Sequence, residues 1–232
     1  MKQKPIVVET KNLKKQFYTE TREGVKANEI SVIRGIDITI KEGDFIGIMG
    51  RSGCGKTTFL KLLGLLETPS FGTVLWKGQD TKILWKDEIA DIRRREIGFV
   101  FQDFYLLNSL NILDNIMVPM ILDKAQPEVM KKRAKELAQQ FGIVDLLGKY
   151  PYEISGGEQQ RAALCRALLN NPDIIMADEP TGNLDSKSGQ DVIDALTYMN
   201  HNLGKTVVIV THDEFMGSYC KEIIHMQDGR IL

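Results

Sequence analysis

The chain runs to 232 residues, of which 43% are apolar and 26% charged, with 30 basic side chains against 31 acidic ones and a formal net charge of -1. That length buries a core without disulfide or metal staples, and that composition is the balance of an ordinary globular protein. The balanced charge supplies no electrostatic grip on nucleic acid, so no nucleic-acid partner is expected.

No apolar run approaches the ~18 residues of a membrane-spanning helix; the longest, such as Val207-Val208-Ile209-Val210, are short and flanked by polar residues. The opening Met-Lys-Gln-Lys-Pro lacks an apolar signal core, and Cys54, Cys165 and Cys220 show no paired metal spacing. The expectation is a reduced, cytosolic environment, with membrane association only through a partner.

Strands and helices alternate, which predicts an α/β class with a largely parallel sheet. Residues 6–48 read as strand-rich, with turns at Lys41-Glu42-Gly43 and Trp76-Lys77-Gly78 that fit hairpins. Residues 56–66 read as an apolar helix. From about 103 to 170 the composition turns helical: Pro127 stands at a first helical position, Gly142 closes the segment, and Met130, Ala134, Leu137, Ala138 and Phe141 form one stripe. The cluster Lys131, Lys132, Arg133, Lys135 lies mostly off that stripe and reads as a solvated face. Strand, helix and strand follow at 173–177, 188–200 and 206–210.

Gly50-Arg51-Ser52-Gly53-Cys54-Gly55-Lys56-Thr57 fits G-x-x-x-x-G-K-[ST] without a mismatch. Glycines let backbone N–H groups surround phosphates, and the helix that follows points its positive end at them. Lys56 would reach the β- and γ-phosphates and the Thr57 hydroxyl a Mg²⁺ ion, with Thr58 next in the same turn. An apolar strand (Phe45 to Met49) leads in and an apolar helix leads out, as that cradle needs. Cys54 lies within it, so a thiol reagent is expected to compete with nucleotide there.

Asp173-Ile174-Ile175-Met176-Ala177 is an apolar strand that ends in Asp178 and Glu179. Ligands of doubly wound folds sit beyond the carboxyl ends of strands, which places Asp178 to hold Mg²⁺ and Glu179 to polarise an attacking water. Ser155-Gly156-Gly157-Glu158 reads as a capping box before the apolar helix carrying Ala162, Leu164, Cys165 and Leu168. Capping alone does not need two glycines; a helix start stripped of side chains is a second anion site.

With these motifs in order, and with Gln102 in Phe101-Gln102-Asp103-Phe104, Asn183-Leu184-Asp185 and His212 between and after them, the chain resembles the ABC ATPase family over essentially its whole length. The resemblance implies a P-loop NTPase (RecA-like) core with an N-terminal antiparallel β subdomain and an α-helical insertion. Residues 1–102 and 167–232 would form the core with its β subdomain, and 103–166 the helical subdomain. It implies ATP and Mg²⁺ as cofactors and head-to-tail pairing with a second copy, in which Ser155, Gly156, Gly157, Glu158 and Asp185 act in trans on the partner's nucleotide. By the same resemblance Gln102 senses the γ-phosphate through Mg²⁺ and the attacking water, and His212 contacts the γ-phosphate. Phe17 corresponds to the aromatic that stacks on adenine, with Tyr18 as a rival.

Ala177 to Asp185 looks like the branch of lipoprotein-release, macrolide-export, cell-division and bacitracin-type systems, and Gly98 to Leu107 is similar to the bacitracin-type antimicrobial-peptide pumps. That resemblance implies an integral membrane permease as partner and a place on the cytoplasmic face of the inner membrane. Residues 18–31 depart from it as a longer polar loop, either a hairpin excursion or a partner contact. Phe104 to Leu107 stand as either core or a permease-docking edge. Two other readings share the motor: a mechanotransmitter that moves no substrate, and a nucleic-acid-linked ATPase, which the near-neutral charge and the lack of coiled-coil heptads disfavour.

Overall fold

A computed structural model describes residues 4–20 and 26–232. In chain order the elements are β1 (Ile6–Glu20), β2 (Lys26–Lys41), β3 (Phe45–Met49), α1 (Lys56–Leu63), β4 (Phe71–Trp76), β5 (Gln79–Asp80), α2 (Lys86–Arg95) and β6 (Ile97–Phe101). Then come α3 (Ile112–Leu122), α4 (Pro127–Gln140), α5 (Gly156–Leu168), β7 (Ile174–Asp178), α6 (Ser186–His201), β8 (Thr206–Thr211), α7 (Glu214–Gly217), β9 (Glu222–Gln227) and β10 (Arg230–Ile231). The chain divides into two compact units, Met1–Ala90 with Val210–Leu232, and Asp91–Ile209.

In the first unit β1 and β2 form a long antiparallel ladder extended by β4 and β5, in the order β2-β1-β4-β5. Alternation puts Val8, Leu13, Ile33, Ile36 and Ile40 inside. The buried hydroxyl of Thr10 donates to the Ile36 carbonyl at 2.9 Å and accepts from Ile38 N–H at 3.1 Å, satisfying backbone groups beside a register shift. Of the two expectations for residues 18–31, the pairing agrees with a hairpin excursion, because the ladder continues through it: Tyr18 pairs with Glu29, Thr19 with Asn28 and Glu20 with Lys26. Residues 21–25 of that expectation lie outside the described residues.

The turn at Lys77-Gly78 does close a hairpin, since Trp76 pairs with Gln79. The turn at Lys41-Glu42-Gly43 does not. Asp44 Oδ2 accepts from Lys41 N–H at 2.8 Å and the chain leaves the ladder. All five residues of β3 are buried, and such a strand needs cover on both faces. It pairs parallel with β9 from Ile46↔Glu222 to Met49↔His225, not with β2. Helix α1 stops at Leu63 with Gly64 as its cap, close to the expected end, and Leu65 takes φ of 58°.

In the second unit β6 runs parallel to β7, in register from Ile97↔Ile174 to Phe101↔Asp178, and β8 lies beside β7. Pro127 begins α4, whose buried side chains are Met130, Ala134, Leu137 and Ala138. Phe141 is only half-buried at the cap, so the expected stripe is one residue shorter. Lys131, Lys132 and Lys135 are exposed as expected, and Arg133 sits 3.6 Å from Glu136.

One buried polar side chain organises the start of the helical segment. Asn115 of α3 has no solvent exposure. Its Nδ2 donates to the carbonyls of Leu107, Leu110 and Asn111, each at 3.0 Å, and its Oδ1 accepts from Leu107 N–H at 2.7 Å. A loop without a ladder of its own thereby has its backbone groups paired. Replacing Asn115 by Ala or Leu strands those groups and should lower the unfolding free energy by about 3 kcal/mol in urea titrations. A Leu variant as stable as the parent would show that the bonds contribute nothing.

Candidate functional site

In the first unit the segment between β3 and α1 is built on close backbone approach. A Cβ at Gly50 would lie 2.3 Å from the Met226 carbonyl oxygen and 2.8 Å from Cys54 Sγ, so no larger residue fits. Gly53 and Gly55 take φ of 79° and 106°, the left-handed region that glycine enters without steric cost. Gly229 N–H donates to the Cys54 carbonyl at 3.1 Å and pins the loop.

Helix α1 starts at Lys56 with no acidic residue in its first turn and no side chain capping it. With neither, the positive end of the helix is turned to the loop without a carboxylate to neutralise it, the arrangement an anion requires. Lys56 is 6% exposed, and its Nζ donates to the carbonyls of Gly50 at 2.8 Å and Arg51 at 3.2 Å. The ammonium is thus held over the loop. Arg51, Ser52, Gly53 and Thr57 are exposed, and Thr58 is half-buried. Cys54 is buried at 9% exposure, against the expectation of a reagent-accessible thiol: its sulfur packs under Gly50. In the same unit His212 is exposed just past β8, and Asp213 caps α7 by accepting from Phe215 N–H at 2.8 Å. On β1 the Phe17 ring is 40% exposed with Lys15 Nζ 4.9 Å from its centroid, and Tyr18 is 46% exposed. Both aromatics are open to solvent, so exposure does not choose between them.

In the second unit β7 ends in Asp178, and the next residue, Glu179, has φ of 45°. A β-carbon in the left-handed region costs on the order of 1 kcal/mol or more and persists where surrounding bonds over-determine it. Here Gly182 N–H donates to the Glu179 carbonyl at 3.0 Å, and the fully buried Gln160 donates from Nε2 to the Pro180 carbonyl at 2.7 Å. The turn therefore gives Glu179 a backbone conformation unlike that of the strand ending at Asp178. Gln102 ends up beside this turn, its Nε2 donating to Asn183 Oδ1 at 3.0 Å.

The expected capping box is present on α5. Ser155 N–H and Oγ–H both donate to Glu158 Oε2 at 2.7 Å, and Glu158 N–H donates back to Ser155 Oγ at 3.4 Å. Gly156 and Gly157 form the bare first turn. A Cβ on Gly157 would meet Ser188 Oγ at 2.5 Å, so α5 starts hard against α6. Asp185 caps α6, accepting from Lys187 and Ser188 N–H groups at 3.0 Å and from Ser188 Oγ at 2.7 Å, and these bonds hold its carboxyl below the usual range. The structure thus joins Ser155 to Glu158, and Gln102 to the turn after Glu179. Sequence reasoning missed Gln160 and Arg166, whose guanidinium donates to the Phe104 and Tyr105 carbonyls, and it gave Asn183 no role of its own. Phe104 to Leu107 divide between the two expectations: Tyr105 and Leu107 are exposed, Phe104 and Leu106 half-buried.

The side-chain and backbone bonds from Ser155 hold the Glu158 carboxyl below its usual range, with Arg161 and Lys149 adding to the effect and slight burial opposing it. A depressed folded-state pKa adds stability above the unfolded value of about 4.3 and loses it as pH falls through the folded value. The Ser155 amide, which donates to that carboxylate, should therefore lose hydrogen-exchange protection as the pH falls through the folded-state value. Glu158→Gln should remove that step, because an amide at this position keeps the cap without titrating.

Among the described residues no helix is long and apolar enough to cross a membrane. The ABC transporter family matches residues 33–182. The chain is 45% identical over 224 residues to the uncharacterised ABC transporter ATP-binding protein YvcR of Bacillus subtilis, spanning 97% of this chain and 85% of that one. It is 40% identical over 225 residues to the bacitracin export ATP-binding protein BceA of Halalkalibacterium halodurans, spanning 97% and 87%. Among solved structures, a dimer of the ATP-binding cassette MJ0796 in a post-hydrolysis state with ADP and Pi aligns with a TM-score of 0.87 at 39% identity, covering 97% of this chain and 96% of that one. The chain belongs to the ABC transporter family and is one of its ATP-hydrolysing cassettes, working on ATP with Mg²⁺.

Proposed function

We propose that two copies of this chain pair head to tail, close on two ATP molecules and reopen after hydrolysis, driving an integral membrane permease from the cytoplasmic face of the inner membrane. The observation that carries this reading is that one chain owns two glycine-opened helix starts, α1 and α5, each suited to an anion. Pairing with a second copy gives the α5 start a phosphate to face. The relative named for bacitracin export supports an antimicrobial peptide as the substrate class.

The donor set fits the family's metal. The Thr57 hydroxyl, the Asp178 carboxylate and the Gln102 amide oxygen offer the hard oxygen atoms that Mg²⁺ prefers, and these residues would hold the ion. Once bound, the ion supplies charge neutralisation to the β- and γ-phosphates. Gly50 to Thr58 cradle the phosphates and Lys56 neutralises them, while Phe17 lies under the adenine. Glu179 orients a water and takes its proton as the water oxygen attacks the γ-phosphorus. The bond from that phosphorus to the bridging oxygen breaks, and ADP and phosphate leave. His212 contacts the γ-phosphate, and Ser155, Gly156, Gly157, Glu158 and Asp185 complete the partner's site. Residues 103–166 act as the helical subdomain that passes the motion on, with Tyr105 and Leu107 supplying exposed apolar surface for the permease.

Glu179→Gln should lower the ATPase rate by about 10²–10³-fold while ATP binding persists. Size-exclusion chromatography with light scattering should then show an ATP-dependent dimer of the variant. Hydrolysis at the parent rate would remove Glu179 from the role of general base, and a variant that stays monomeric at saturating ATP would count against the shared site.

A further inference from the structure

Asn183 does not take part in any of the roles above, yet it makes the densest set of polar contacts around Gln102. Its Oδ1 accepts from Gln102 Nε2 at 3.0 Å. Its Nδ2 donates to the Gln102 carbonyl at 3.2 Å and to Asp103 Oδ1 at 3.1 Å. The two side chains lie close because residue 182 is glycine: a Cβ there would sit 2.8 Å from Gln102 Nε2 and 3.0 Å from its Cδ. The chain on either side is fixed beforehand, with Leu184 N–H donating to the Thr181 carbonyl at 3.0 Å and Asp185 capping α6.

From this geometry we infer that Asn183 is a positioning residue that decides which end of the Gln102 amide faces outward. A backbone carbonyl and a carboxylate can only accept, so the end of Asn183 that meets them must be its NH₂. The other end is then an oxygen and demands a donor, which Gln102 can supply only from Nε2. The side-chain oxygen of Gln102, Oε1, is thereby left on the side away from Asn183, as the atom available to a cation. An amide flips at little intrinsic cost, and without this chain of donors and acceptors both orientations of Gln102 would be populated. A hydrogen-bond partner behind a metal ligand fixes that ligand's orientation in this way. The inference rests on the reading that Gln102 presents its oxygen to Mg²⁺.

The test uses the full chain and has two readouts. First, ¹⁵N spectra of the nucleotide-free protein report the Gln102 side-chain NH₂, assigned by its loss in Gln102→Ala. In the parent its protons should be shifted and exchange slowly, and in Asn183→Ala they should move to the free-amide position. Second, Mn²⁺ affinity with a non-hydrolysable ATP analogue, followed by electron paramagnetic resonance of free Mn²⁺, should fall about tenfold in Asn183→Ala. Metal-free nucleotide affinity should not change. Asn183→Asp loses the donor and turns a carboxylate on Asp103 and the Gln102 backbone carbonyl, a repulsion that should drive it away from Gln102, so it should behave like Asn183→Ala. Adding Asp103→Asn to it returns a donor to the pair and should recover most of the affinity. An unmoved Gln102 resonance in Asn183→Ala overturns the inference. So does an unchanged Mn²⁺ affinity in Asn183→Ala alongside a weakened one in Gln102→Ala, a result that leaves the role of Gln102 standing. Unchanged Mn²⁺ affinity in Gln102→Ala overturns both.

Discussion

The Gln160 amide, without solvent exposure, donates to the carbonyl of Pro180. Much of the second unit is arranged around that bond. It anchors α5 to the backbone turn that follows β7, and the same helix is fastened elsewhere by Arg166 to the carbonyls of Phe104 and Tyr105 and by Arg161 to Asp191 at 3.3 Å. A buried donor with one good acceptor is costly to displace, because losing the bond leaves a desolvated polar group behind. The helix that begins at Ser155 and the turn that carries Glu179 therefore share one rigid connection. In the proposed dimer these two features belong to different nucleotides, so each chain would mechanically join the two sites it helps to build.

Backbone geometry does comparable work in the first unit. Approach of the loop to the Met226 carbonyl leaves no room for a β-carbon at residue 50, and the sulfur of Cys54 fills the space beneath. What looks in the sequence like a run chosen for flexibility is tightly packed. Its glycines serve contact at residue 50 and left-handed turns at 53 and 55. Holding the N–H groups of α1 in place before any ligand arrives reduces the ordering that binding must oppose.

Motifs whose chemistry depends on residue type at fixed spacing were legible in the sequence. The glycine-rich loop before Lys56, the acidic end of β7 and the Ser155–Glu158 cap all appear where their spacing put them, because each is local. The hairpin at Lys77-Gly78 was readable for the same reason. What escaped was tertiary. Nothing in Lys41-Glu42-Gly43 says that β3 leaves β2 for a parallel partner more than 170 residues away, apart from the unbroken apolar run of β3 itself. The sequence of the arms beyond Tyr18 is poor in large apolar residues and gives no alternation to mark them as strands. Gln160 and Asn183 look like ordinary polar residues of a helix and a turn, and only the neighbours brought in by folding give them partners.

The closed cap of α5 also bears on how a phosphate would be received there. The Ser155 hydroxyl already donates its single hydrogen to Glu158. A phosphate at this helix start must take that hydrogen from a carboxylate and come to rest near its negative charge. The event is an exchange of one anion for another, so the gain is a difference between two similar bonds. In the proposed dimer Glu158 would thus act as a resident competitor that keeps the contact shallow. For a machine that has to let go after every cycle, a grip that is easily returned to its own glutamate favours release over residence.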